Sequence, residues 1–253
     1  QSVLSSMPIY ILCGLSLPAT IIKQLERIMR QCLWRGNSDT PKQSLAAWPM
    51  VCKPKDKGGM GTINLAVQNK ALLTKHLHKF YNKVDIPWVS LIWDTYYNGV
   101  VPHATVQCGS FWWRDIMKLN EVYRSHTTIT INDGNNSLFW HDAWNLGGSH
   151  LPIKDRFPRL FSFALDDKIS VKDFIEDFDI GTYFQLPLSH EAMDELVSLN
   201  SALSGLQRCP NEPDSWSWTP RKGSYSAKSY YTLAHAHLPD DDPANGFGRA
   251  SVL

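Results

Sequence analysis

Paired cysteines are missing from this sequence: Cys13, Cys32, Cys52, Cys108 and Cys209 are scattered, and no two stand at a C-x-x-C spacing. An odd, unclustered set argues against a disulfide framework and against a zinc site, and leaves buried free thiols as the expected state. Long apolar runs are missing as well. No stretch reaches the roughly 18 residues of a membrane span, and the opening MPIYILCGLSLP is short and broken by glycine and proline. The chain begins Gln-Ser, without a methionine or the cationic start of a signal peptide, and so reads as soluble, intracellular and a fragment. The phosphate-loop spacings G-x-x-x-x-G-K-[ST] and G-x-G-x-x-G do not occur either. What is present is enough apolar side chain, 43% of 253 residues, to bury a sizeable core in one large or two small domains.

The net charge of +1 hides a polarity along the chain. Residues 1–84 hold twelve Lys/Arg against three Asp/Glu, a surplus of +9, while the remainder carries −8. Such asymmetry points to a part that faces nucleic acid joined to a neutral or acidic part. The competing reading is that helix surfaces carry lysine anyway.

Helical spacing starts early. After Pro18, the residues Ile21, Ile22, Leu25, Ile28, Met29, Cys32 and Leu33 recur three and four apart, with Lys23, Arg27 and Arg30 largely off that stripe. Residues 36–41 read as a loop. In the block WPMVCKPKDKGGMGTINLAVQNKALL, Lys53, Lys55 and Lys57 alternate around Pro54 and Asp56, and Gly58, Gly59 and Gly61 permit a tight reversal with positive backbone angles. A second helix follows from Leu65, with Leu72, Leu73, His76, Leu77 and Phe80 on one side and Lys70, Lys75 and Lys79 mostly on the other. Asn69 lies near the apolar side and needs a hydrogen-bonding partner there, with the preceding turn as the candidate. Pro87 opens a third helix with Trp88, Ile92, Trp93 and Tyr96 inward, and Ser110 caps a fourth with Trp113, Ile116 and Met117 inward.

Farther on the chain changes character. Thr127–Ile131 is β-branched, Asn132–Asn136 is a turn cluster and Leu138–Trp140 is again apolar, which predicts a hairpin. Ser215–Trp218 alternates and Ser224-Tyr225 offers a return strand, which predicts a second. Ser170 with Asp173, Ser189 and Ser226 are read as helix caps, and the Ser189 helix is given Met193, Leu196, Val197 and Leu203 as its inner face. Asp173, Glu176, Asp177 and Asp179 are read as a solvated acidic surface rather than a metal site. Asp133, His141, Asp142 and His150 could be imagined as a nuclease cluster, and turn and strand-end roles are preferred for each. Residues 238–253 read as a disordered tail.

Several phrases in order resemble one family. They are VLSSMPIYILCGLSLP, CLWRG, the WPMVCKPKDKGGMGTINLAVQNKALL block, PWVSLIWDTYY, SFWWRDI, NDGNNSLFWHDAW, FPRLFSFA and DSWSWTPRKGSYSAKSYYTL, from about Ser2 to Leu233. Together they resemble the region between the polymerase palm and the zinc-binding domain of plant LINE-type (non-LTR) retrotransposon reverse transcriptases. The resemblance implies an α+β, mostly α fold: a basic thumb-like helical region over residues 1–100, then a linker over 101–237 with the two hairpins. The palm's Tyr/Phe-x-Asp-Asp turn, which would hold two magnesium ions, has no counterpart, since Asp166-Asp167 and Asp240–Asp242 lie outside any apolar hairpin. The family's Cys/His zinc cluster is reduced to His235 and His237, with no cysteine after Cys209. The expectation is therefore no catalytic residue, no metal and no cofactor. RNA or an RNA–DNA duplex is the expected partner, held by Lys23, Arg27, Arg30, Arg35, Lys53, Lys55, Lys57, Lys70, Lys75 and Lys79 through phosphates. An inert structural remnant or protein-interaction scaffold is the alternative.

Overall fold

The computed structural model describes residues 8–35, 46–98, 100–103, 108–146, 148, 151–176, 178–220 and 224–236. The loop at 36–41, Asp177, His150, His237 and the tail at 238–253 lie outside them. The chain folds as two compact units, Gln1–Lys75 with Ser226–Leu253, and His76–Tyr225. Architecture is α+β and mostly helical, with one two-stranded antiparallel sheet among the described residues.

The first unit is helical. It contains α1 (Ile9–Gly14), α2 (Ala19–Arg35), α3 (Trp48–Cys52), the front of α4 (Leu65–Tyr81) and α13 (Ala227–His235). Its core gathers Leu12, Met29, Trp48, Val51, Cys52 and Leu65, with Ile22, Leu25 and Leu33 of α2 packed against it. These α2 residues recur at helical spacing, but the apolar stripe is narrower than the sequence suggested. Ile21 and Ile28 face solvent. Asn69 is fully satisfied, though not by the preceding turn. Its amide nitrogen donates to the carbonyls of Leu12 (2.9 Å) and Leu15 (2.8 Å), and its oxygen accepts from the Leu17 amide (3.0 Å). One buried side chain thus ties α4 to the end of α1, since both need a partner for polar groups withdrawn from water.

The second unit starts with the end of α4 and runs through α5 (Pro87–Tyr96), α6 (Phe111–Met117), α7 (Asn120–Ser125), β1 (Thr127–Thr130), α8 (Ile153–Arg156), α9 (Pro158–Phe161), α10 (Val171–Glu176), α11 (Ile180–Tyr183), α12 (His190–Ser204) and β2 (Ser215–Trp218). Trp113, Ile116 and Met117 are buried as expected. On α5 the buried residues are Val89 and Ile92, while Tyr96 is exposed, so that inner face is rotated from the expected one.

Neither expected hairpin closes on itself. β1 pairs with β2, antiparallel, with Thr127 opposite Trp218 and Ile129 opposite Trp216. Leu138 to Trp140 instead meets the segment before α10, where the Phe139 amide donates to the Ile169 carbonyl (3.0 Å) and the Val171 amide to Ser137 (3.0 Å). Ser224 and Tyr225 form no strand. The cause lies in Asp214, a buried carboxylate just ahead of β2. It accepts from the Asn132 amide (2.7 Å), the Gly134 amide (2.9 Å) and the Ser137 hydroxyl (2.7 Å), so the turn cluster wraps around this side chain and seats β1 against β2. Gly134 sits at φ 71°, and a β-carbon there would lie 2.8 Å from the Lys172 nitrogen.

The inner face of α12 also differs from expectation. Ala192, Leu196 and Leu199 are buried, whereas Met193 (45% exposed) and Val197 (63%) point outward. The Glu195 carboxylate accepts from the Leu160 amide (2.8 Å) at α9, and this polar bond fixes the rotation of the helix against its neighbour.

His78 carries a pH dependence. Burial lowers its pKa from the ordinary 6.5, and its ring nitrogens face the Tyr123 hydroxyl (3.0 Å) and accept from the Tyr225 amide (3.4 Å). The folded chain holds it neutral, so the unfolded chain takes up the proton first as pH falls. Stability is therefore expected to drop as pH goes below about 6.5 and to level off beneath the folded pKa. His103, lowered by burial and then by Lys168, adds to the same slope. Urea titrations across this pH range are expected to show a shallower slope for His78→Gln than for the unaltered chain. Equal slopes would remove His78 from the account.

Candidate nucleic-acid interface

Residues 53–61 fold because their amides and carbonyls close on each other. Pro54 leads into a single tight turn, Lys55–Lys57, and Gly58 takes the left-handed conformation at φ 76°. The Gly59 amide donates to Pro54 (3.0 Å), the Gly61 amide to Lys53 (2.9 Å) and the Met60 amide to Val51 (3.2 Å). Gly59 is required by space, since a β-carbon would fall 2.1 Å from the Lys53 carbonyl oxygen. Past the reversal, the Asn64 side chain accepts from the Val67 amide (3.1 Å) to cap α4, and the Asn64 amide donates to the Tyr231 hydroxyl (2.9 Å) of α13. α13 itself starts on the Ser226 cap, which accepts from the Ser229 amide (3.1 Å).

Between this turn and α13 lies a groove of about 980 Å³. Lys55 and Lys57 line it from the turn and Lys228 from α13, and among the described lining residues Asp56 is the one carboxylate. Cys52, Pro54, Ile63 and Ala236 supply apolar surface. Tyr231 is held at its hydroxyl by Asn64 and across its ring by His235, with centroids 4.4 Å apart. Burial, and then the nearby Glu26, push the Cys52 thiol up to about 12, so it stays protonated and unreactive at neutral pH. Three lysines and Asp56 thus share the groove with apolar and aromatic surface among the described residues.

The other expected contacts are dispersed. Lys23, Arg27 and Arg30 are exposed on α2, and the Arg30 guanidinium lies 5.8 Å from the Trp48 ring centre. Lys70 is exposed and Lys75 half-buried on α4, while Lys53 is half-buried at the start of the turn. Lys79 belongs to the second unit. The side chain of Arg35 lies outside the described residues. Lys228 escaped the sequence reading because only the return of α13 brings it beside Lys55.

The described acidic groups that the sequence suggested as a nuclease or metal cluster have partners of their own. Asp142 is buried and paired with Arg124, and it accepts from the Leu138 amide (2.6 Å). His141 lies 3.1 Å from Asp167, and Asp133 accepts from Asn135 (2.9 Å). Asp173 accepts from the Ser170 hydroxyl (2.7 Å), Glu176 lies 3.9 Å from Arg208, and Asp179 caps α11. Among the described residues, no group of three or more His, Cys, Asp or Glu could hold a metal ion. A second cavity, about 1130 Å³, is lined in this unit by lysines and aspartates together, including Lys83, Asp94, Lys168 and Asp173. No helix among the described residues is long and apolar enough to cross a membrane.

Comparison with known proteins finds relatives in a plant. It is 30% identical over 152 residues to the Arabidopsis thaliana protein named "Putative ribonuclease H protein At1g65750", a match covering 58% of this chain and 24% of that one. It is 28% identical over 154 residues to "Uncharacterized mitochondrial protein AtMg00310" of Arabidopsis thaliana, covering 58% of this chain and 97% of that one. The chain thus spans about a quarter of the first relative and nearly all of the second. No family model and no solved structure matches.

Proposed function

We propose that this chain is a non-catalytic, retroelement-derived fragment: the region between palm and zinc-binding domain of a plant LINE-type reverse transcriptase, retaining weak, sequence-independent binding to RNA or DNA backbone. A relative named for ribonuclease H supports an origin in a nucleic-acid-processing protein. The same kind of sequence forms part of one long relative and almost the whole of a short one, as expected of a segment that persists alone. The observation that carries the binding reading is the convergence of Lys55, Lys57 and Lys228 on one groove, with Asp56 the one carboxylate among its described lining residues.

Phosphate binding by lysine releases counterions, so the logarithm of affinity falls linearly with the logarithm of salt, by about 0.9 per phosphate contact on duplex DNA. Fluorescence anisotropy with a labelled RNA–DNA hybrid is expected to show binding at low salt that disappears at moderate salt. Binding indifferent to salt, or none at low salt, would defeat the reading.

A further inference from the structure

The groove carries more information than its charge. A duplex keeps its bases stacked inside and can offer a protein surface only phosphates and groove edges, so any convex patch of lysines serves it equally well. The lining here joins exposed charged side chains, Lys55, Asp56 and Lys228, to half-buried Ile63 and Pro54 and buried Cys52. Its volume, about 980 Å³, is at the upper end of pockets that enclose a small molecule, which run to about 1,000 Å³. Single strands are held by this combination: cations track the backbone while unpaired bases lie on apolar or aromatic surface.

Resting on the reading above, we propose that this groove is a single-strand site, in which Lys55 and Lys228 hold successive phosphates from opposite walls and an unstacked base lies against Ile63 and Tyr231. Tyr231 suits the role because its position is already fixed by Asn64 and His235, so little ordering remains to be done when a ligand arrives. Lys55 and Lys228 are both exposed and belong to segments far apart in sequence, which makes the site dependent on the folded unit. Asp56, next to Lys55, disfavours a second close phosphate there and limits the site to a short stretch of strand.

The test uses the full chain, a labelled short oligouridine and a labelled duplex of matched length. The double charge reversal Lys55→Glu with Lys228→Glu is expected to weaken oligouridine binding by about tenfold or more at low salt, as loss of two phosphate contacts requires, and to weaken duplex binding by a smaller factor, since a duplex uses the same lysines without the base contact. Lys55→Arg with Lys228→Arg is expected to restore it, and Arg114→Glu, an exposed cation of the other unit, to leave it unchanged. A thiouridine-substituted oligonucleotide is expected to crosslink to the peptide carrying Tyr231. If nucleic acid binds but the double reversal leaves oligouridine affinity intact, the groove assignment fails while the broader reading stands. If neither oligonucleotide binds, both fail. Competition by polyglutamate as strong as that by unlabelled oligouridine would reassign the groove to acidic protein and overturn the proposal.

Discussion

Asp142→Ala is expected to destabilise the His76–Tyr225 unit by about 3–5 kcal/mol, the range seen when one member of a buried ion pair is removed. Asp142 is 1% exposed at its side chain and Arg124 is 10% exposed. Arg124 donates through Nε to one carboxylate oxygen (2.7 Å) and through Nη2 to the other. It also donates through Nη1 to the Tyr81 hydroxyl (3.1 Å) and to the Pro102 carbonyl, and its guanidinium lies 5.3 Å from the Trp216 ring centre. Burial opposes the Arg124 charge, but Asp142 and Tyr81 together outweigh it and raise its pKa above the ordinary value. Alanine at 142 would strand that cation and also the Leu138 amide. Chemical denaturation followed by tryptophan fluorescence measures the loss. Arg124→Met combined with Asp142→Leu is expected to recover part of it, because no charge is then left buried. A loss below about 1 kcal/mol for the single variant would place the pair at a solvated surface instead.

Gly59→Ala carries the second large effect, expected at about 4–5 kcal/mol, the top of the range for point substitutions. The added methyl would stand 2.1 Å from the Lys53 oxygen, a backbone atom that itself accepts from Gly61 and cannot swing aside. The turn must open, and Lys55 and Lys57 leave the groove with it. Gly14→Ala serves as the contrast, since nothing lies within 4 Å of its β-carbon position. That variant is expected to be neutral or stabilising by up to about 1 kcal/mol through the unfolded chain. Thermal melts of both variants decide the matter, and equal melting temperatures would refute the steric argument.

Local chemistry was the part of this structure legible in the sequence. Ser110, Ser170, Ser189 and Ser226 each accept from the amide three residues on, because a cap is decided by neighbours. Of the three glycines of the KPKDKGGMG turn expected to take positive φ, Gly58 and Gly61 do, whereas Gly59 does not and is required by its close approach to Lys53 instead. Pairing was not legible. Thr127 and Trp218 lie far apart along the chain, and both flank turn residues that made local hairpins look sufficient. What diverted them is Asp214, a carboxylate that a pattern of apolar alternation ignores. The rotation of α12 was missed for a similar reason, because Met193 and Val197 outrank Ala192 in hydrophobicity while Glu195, a charged residue, makes the deciding bond. In the candidate site Lys55 and Lys57 were legible from their spacing and Lys228 was not, since it owes its place to tertiary return alone.

The two-part construction of the first unit sets an order of events during synthesis. Residues 76–225 leave the ribosome as a continuous stretch after residues 1–75, and α13, the last part of the first unit, follows them. Until Tyr231 arrives, the Asn64 amide has no hydroxyl to bond and the lysine groove has only one wall. A nascent chain stalled before Ser226 therefore holds the core residues of the first unit without the second wall of its groove, and any capacity of that groove to hold a ligand switches on late in translation.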